Sequence, residues 1–230
     1  MNKGFLSIIL HAHLPYVRHP EHESLFEENW LFEAITECYI PLINILDRLK
    51  KDRVDYRLTL SISPTLIAML SDELLQSRYL KHLQKQIELA GKEIIRTRKQ
   101  PEFQKLARLY RRFFLNTLKT YQELYYCDLL TAFKIHHATG HLELITCAAT
   151  HGFLPLLSIS ETAVRNQINI GVETFKSYFV LFINSESFSF CISTRVPESK
   201  LSKSLTFNIV YFFLKGLLKP LLGILRNRGI

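Results

Sequence analysis

The chain has 230 residues and is 47% apolar, enough for one sizeable core or for part of a larger single-domain barrel. The net charge of +8 is uneven: residues 180–230 hold seven Lys and Arg against Glu186 and Glu198, so five of the eight charges lie there and the first 179 residues call for no nucleic-acid-binding face. Cys38, Cys127, Cys147 and Cys191 form no CxxC pair, which excludes a zinc ribbon or thioredoxin-like motif and points to a reducing, cytoplasmic compartment.

Phe5-Leu6-Ser7-Ile8-Ile9-Leu10 is a compact apolar run without helical spacing and predicts a buried strand over 5–10. It runs straight into histidines and is too short for the apolar region of a signal peptide. A polar loop follows. Between Trp30 and Leu49, Leu31, Ala34, Ile35, Cys38, Leu42, Ile45 and Leu46 recur at three and four, predicting an amphipathic helix kinked at Pro41. Residues 57–63 alternate and stop at Pro64, a second strand. Two or three helices are then expected, among them one over 78–98 and a long one over 102–137. In the long one, Phe103, Leu106, Tyr110, Phe113, Leu118, Tyr121, Leu124 and Leu129 form a stripe that reads as core. Arg108, Arg111 and Arg112 beside Tyr110, Tyr121, Tyr125 and Tyr126 are therefore not taken as a nucleic-acid surface. Gly140-His141 turns into a third strand over 142–147, and Ser160 caps a helix running to Phe179.

Strand, helix, strand, helices, strand, helix is the order of an α/β parallel sheet or barrel. Three strands cannot close a barrel, so the expectation is an incomplete one with an inserted helical segment, over 1–179. Residues 180–230 contain no Ala, Asp, Gln, His, Trp or Met and read as an unrelated tail of aberrant or divergent origin, such as a shifted reading frame. Lys215 and Lys219 interrupt its apolar stretch short of the roughly 18–20 residues of a membrane span, so no membrane partner is expected.

The residues that can carry chemistry follow the strands. His11 and His13 come at the carboxyl end of the first strand and share one side if the extended conformation continues. The third strand delivers His151 to the same rim. Three histidines can serve a metal or a polar sugar site. No carboxylate following a strand joins them: Asp55 precedes the second strand, and Glu143 alternates within the third. Tyr16, Arg18, His19, Glu27, Glu28 and Trp30 suit a carbohydrate, which needs aromatic faces and polar partners. Trp30 serves equally as a core anchor, and Glu27-Glu28 favours a helix dipole. Nothing marks Cys127 or Cys147 as a nucleophile.

His11-Ala12-His13-Leu14-Pro15-Tyr16-Val17-Arg18, followed by Thr150-His151-Gly152-Phe153-Leu154-Pro155-Leu156-Leu157, resembles the first two conserved blocks of family 57 glycoside hydrolases, closest to the branch of 1,4-α-glucan branching enzymes. The resemblance covers residues 4 to about 179. It implies part of a seven-stranded (β/α) barrel acting on α-1,4-glucans such as glycogen or starch by a retaining mechanism, with no metal or other cofactor. In that mechanism two carboxylates about 5–5.5 Å apart serve as nucleophile and acid/base. In branching, a glucan hydroxyl replaces water as the acceptor. His11, His13 and His151 would bind the sugar, with Tyr16 and Trp30 beside it. The family's nucleophile block, of the type G-x-W-L-P-E-C-A-Y, does not follow the helix ending at Phe179, and neither Glu186 nor Glu198 has its neighbours. The acid/base Asp belongs to a later block. The expectation is therefore a chain with no catalytic residue of its own, inactive alone. Two alternatives are a non-catalytic α-glucan binder and a metal-dependent hydrolase using the three histidines.

Overall fold

The computed structural model of the protein describes residues 7–179; the expected tail and the start of the expected first strand lie outside them. Three strands, β1 (Ile9–Ala12), β2 (Leu58–Ile62) and β3 (Leu142–Ile145), form one parallel sheet in the order β1-β2-β3. The register sets His11 opposite Ser61 and Ser61 opposite Ile145, so the carboxyl ends of all three strands align at one rim.

The first strand begins later than expected and is not buried throughout: Ile9 is 59% exposed. β1 pairs with β2 on one side only, and its outer residues find no cover among the described residues. Ala12 faces inward and is buried. On β2, Leu60 and Ile62 reach the core, where Ile40, Ile43, Leu66, Ile67, Phe133 and Phe179 are also fully buried. Each such side chain contributes about 1.5–3 kcal/mol by leaving water.

The helix expected over 30–49 comes in three pieces. α1 (Glu28–Ala34) leads through a π-helical turn (Ile35–Tyr39) into α2 (Ile40–Lys51). Pro41 lies in the first turn of α2, directly after the wider turn, where a missing amide N–H costs the helix least. After β2, Ser63 caps a short helix that the reading of Pro64 as a strand end missed, α3 (Pro64–Leu70). Asp72 then caps α4 (Glu73–Arg96), its carboxylate accepting from the Leu75 amide at 2.9 Å, so this helix starts earlier than expected.

The single helix expected over 102–137 does not form. α5 (Pro101–Leu118) passes through a π-helical turn (Lys119–Leu124) and stops where Tyr126 and Cys127 turn left-handed, with φ of 52° and 66°. Asp128 then caps α6 (Leu129–Ala138), accepting from the Thr131 amide at 2.9 Å. The apolar stripe is split with it. Tyr121 and Leu129 are buried, whereas Phe103, Leu106 and Tyr110 stay exposed, lining an open groove between α5 and α4. Behind β3, α7 (Leu154–Leu157) precedes α8 (Glu161–Phe179), whose expected cap is present: Ser160 Oγ accepts the Ala163 amide at 3.3 Å.

One polar network ties α2 to α6. His136, fully buried, donates from Nε2 to Asp47 Oδ1 at 3.1 Å, and Tyr125 donates to the same carboxylate at 2.7 Å. Burial alone would raise the Asp47 carboxyl, but these hydrogen bonds carry it below its ordinary value. Among the described residues no helix is long and apolar enough to cross a membrane.

Candidate functional site

His11 and His13 flank the inward-facing Ala12, so alternation puts both rings on one side of the strand end, with centroids 6.1 Å apart. The chain is still pinned to β2 there, since Ser63 N–H donates to Ala12 C=O at 3.0 Å. His13 Nδ1 lies 2.9 Å from Ser63 Oγ, the hydroxyl that also caps α3.

His151 arrives from the loop after β3. Its backbone is left-handed, φ 57°, a conformation that costs a residue with a Cβ roughly 1–2 kcal/mol. The surroundings hold it there. His151 N–H donates to Ala148 C=O at 2.9 Å, and α8 clamps the preceding residues. Ala149 N–H donates to the Gln167 carbonyl at 2.9 Å, and Thr150 N–H to the Gln167 side chain at 3.0 Å. One turn on, Gly171 lets the helix approach: a Cβ there would stand 2.6 Å from the Cys147 carbonyl oxygen. His151 thus comes to rest with its ring centroid 4.6 Å from that of His11 and 4.3 Å from that of His13.

Crowding three imidazoles sets their charge. Burial, then His151 and His11, pull His13 down to about 4. His11 is lowered by burial and by His151, and His151 by burial. All three are neutral at pH 7, and among the described residues none pairs with a carboxylate. His11 Nε2 is buried with no hydrogen-bond partner among the described residues, a cost of about 1–3 kcal/mol that a ligand atom would relieve. Among the described residues no three His, Cys, Asp or Glu side chains are arranged to hold a metal ion. The cluster can do one thing well: exchange hydrogen bonds with uncharged polar groups.

Tyr16 and Trp30 form no ring contact with this cluster among the described residues. They are 53% and 41% exposed. The charged residues of the same loop are structural braces. Arg18 pairs with Asp72 at 2.6 Å, and Arg78 pairs with the buried Glu28 while donating to the His19 and His22 carbonyls. Glu28 therefore serves a buried ion pair rather than solvent or a helix dipole alone. Glu143 is exposed and accepts from Thr59 Oγ1 at 2.6 Å. Asp55 pairs with Arg57 at the opposite end of the sheet, and burial pushes the Cys127 thiol up, away from nucleophilic use. Ser63, Gln167 and Gly171 went unnoticed in the sequence. Only Ser63 carries a local signal, a Ser directly before a Pro, which is the start of a capped helix.

The model for Glycosyl hydrolase family 57 matches residues 7–182. A 1,4-alpha-glucan branching enzyme of Thermococcus kodakarensis is 33% identical over 178 residues, covering 77% of this chain and 25% of the relative. Among solved structures, the alpha-amylase AmyC of Thermotoga maritima superposes with a TM-score of 0.72 at 46% identity, covering 76% of this chain and 33% of that one. The branching enzyme of Pyrococcus horikoshii superposes with a TM-score of 0.72 at 32% identity, covering 77% and 33%. The chain spans about a quarter to a third of the length of these proteins.

Proposed function

The chain belongs to glycosyl hydrolase family 57, and from that premise we propose that it is the sugar-binding part of a retaining α-1,4-glucan-active enzyme most like 1,4-α-glucan branching enzymes. The three parallel strands are the opening of a (β/α) barrel over 1–179, and 180–230 is a divergent tail. His11, His13 and His151 hold a glucose unit of glycogen or starch, and Tyr16 and Trp30 border its path. The observation that carries this reading is the cluster of three mutually contacting, neutral imidazoles where the strands end. Neutral imidazoles each offer one donor and one acceptor, which suits hydroxyls, whereas a charged site would favour anions. The similarity to branching enzymes and to an amylase supports cleavage of α-1,4 bonds as the chemistry, with transfer to a glucan hydroxyl as the preferred outcome.

No carboxylate stands with the histidines among the described residues, so neither the nucleophile nor the acid/base of a retaining mechanism is assigned to this chain. It binds glucan without cleaving it, in a cytoplasmic, reducing setting that its Cys38, Cys127 and Cys147 thiols suit. Calorimetric titration with maltoheptaose tests the binding. The expected outcome is saturable binding by the chain, weakened about tenfold or more in His13→Ala, which corresponds to about 1.4 kcal/mol. Binding unaffected by His13→Ala sinks the assignment of the cluster. Incubation with amylose tests the rest: new α-1,6 branches or shortened chains would show that catalytic carboxylates are present after all.

A further inference from the structure

The hydroxyl that holds His13 is one link in a chain of four hydrogen bonds, and their protons can be counted. Thr65 Oγ1 donates to the carbonyl of Leu14 at 3.0 Å. Ser63 Oγ lies 3.1 Å from Thr65 Oγ1, accepts the Leu66 amide at 3.3 Å, and lies 2.9 Å from His13 Nδ1. Thr65 has a single hydroxyl proton, and the Leu14 carbonyl takes it; Leu14 is buried, so an unbonded carbonyl there would be costly. The proton between the two hydroxyls must then come from Ser63. Ser63 has spent its only proton, already accepts one amide, and can meet His13 only by accepting again. Reversing the Ser63–His13 bond would leave two hydroxyl oxygens facing each other at 3.1 Å with no hydrogen between them.

We infer that Ser63 and Thr65 are positioning residues that fix His13 with its proton on Nδ1, so that its Nε2 presents a lone pair to the ligand. Among the described residues Nε2 has no hydrogen-bond partner, and it is not sealed from solvent. A bare imidazole nitrogen accepts a hydrogen; it gives nothing to a carboxylate or phosphate oxygen, which also only accepts when ionised. The cluster therefore selects a hydroxyl donor at this position and turns anions away. Naming that hydroxyl as a sugar's rests on the function proposed above; the tautomer rests on atoms of the chain alone. His13 stays neutral at pH 7, where one tautomer is well defined.

Long-range 1H–15N correlation spectra of the full chain labelled in histidine nitrogens read the tautomer at pH 7, with His13→Gln identifying the His13 signals. The expected pattern is a protonated Nδ1 and a bare Nε2. In Thr65→Val the Ser63 proton loses its acceptor and turns to His13 Nδ1, so the pattern inverts, while Thr65→Ser keeps the wild-type form. A merely structural role for Thr65 would alter stability and leave the tautomer alone. Should Thr65→Val not fold, Ser63→Ala is expected to give a mixture of both forms. A wild-type His13 protonated on Nε2 overturns the inference, as does a folded Thr65→Val that keeps the proton on Nδ1. Adding maltoheptaose to the wild-type sample separates the two readings. A shifted His13 Nε2 signal supports both. An unmoved signal with the tautomer as assigned removes the sugar and keeps the positioning role of Ser63 and Thr65.

Discussion

At the scale of the residue, the depressed histidines make folding sensitive to mild acid. His13 has its proton affinity brought down to about 4, against an ordinary value near 6.5. Between those two values the unfolded chain takes up a proton that the folded chain refuses, so stability is complete above pH 6.5 and declines as pH falls toward 4. After allowance for partial solvation the loss from this residue is on the order of 2 kcal/mol. Urea denaturation midpoints at pH 7 and pH 5 check this: the wild type is expected to lose more between them than His13→Gln, and equal losses would refute it. His11 and His13 were legible in the sequence because they directly follow an apolar run, and His151 because a second block brings it after a strand. Ser63 and Gln167 were not, because each acts through a partner 50 or 17 residues away, a distance that no local pattern records. Tyr16 and Trp30 show the converse. Their types suit a sugar and both rings are exposed, but the ion pairs that brace the segment bearing them to α4 join residues far apart in sequence.

At the scale of the element, α8 is the support on which the His151 loop rests. Glycine in a helix interior is ordinarily a weakness, and Ala in its place gains about 0.5–1 kcal/mol. At Gly171 the sign reverses. The added methyl would lie 2.6 Å from the backbone oxygen of Cys147, and backbone cannot yield as a flexible side chain does. Gly171→Ala is expected to destabilise the chain by about 1–3 kcal/mol and to weaken glucan binding as His151 moves. A thermal melt decides the first part, and a raised midpoint would contradict the close contact. The elements themselves were read unevenly. The presence of three strands, the Ser160 cap and the run of α8 follow from apolar patterning and capping chemistry. The break near Cys127 does not, because the three-and-four spacing of apolar residues passes through it. Asp128 gave the only hint, as an N-cap in the middle of an apparent helix.

At the scale of the whole molecule, the same limitation appears as misplaced burial. Periodicity marks which side of a helix is apolar, not how closely its neighbour covers it, and so Phe103, Leu106 and Tyr110 read as core although they line an open groove beside α4. The parallel sheet was legible as a sheet; its width depends on what else is present. β1 and β3 each have β2 as their one neighbour among the described residues, leaving a row of backbone donors and acceptors on both outer edges. Sedimentation velocity over a hundredfold range of dilution should therefore show particles that grow with concentration, and a single species of constant size would refute this. The two sheet edges left open among the described residues also change what a measured stability means. Whatever strand occupies them, from another copy or from a longer polypeptide, adds its binding free energy to the fold by mass action. The melting point of this chain is thus a property of a solution, and it moves with what is dissolved beside it.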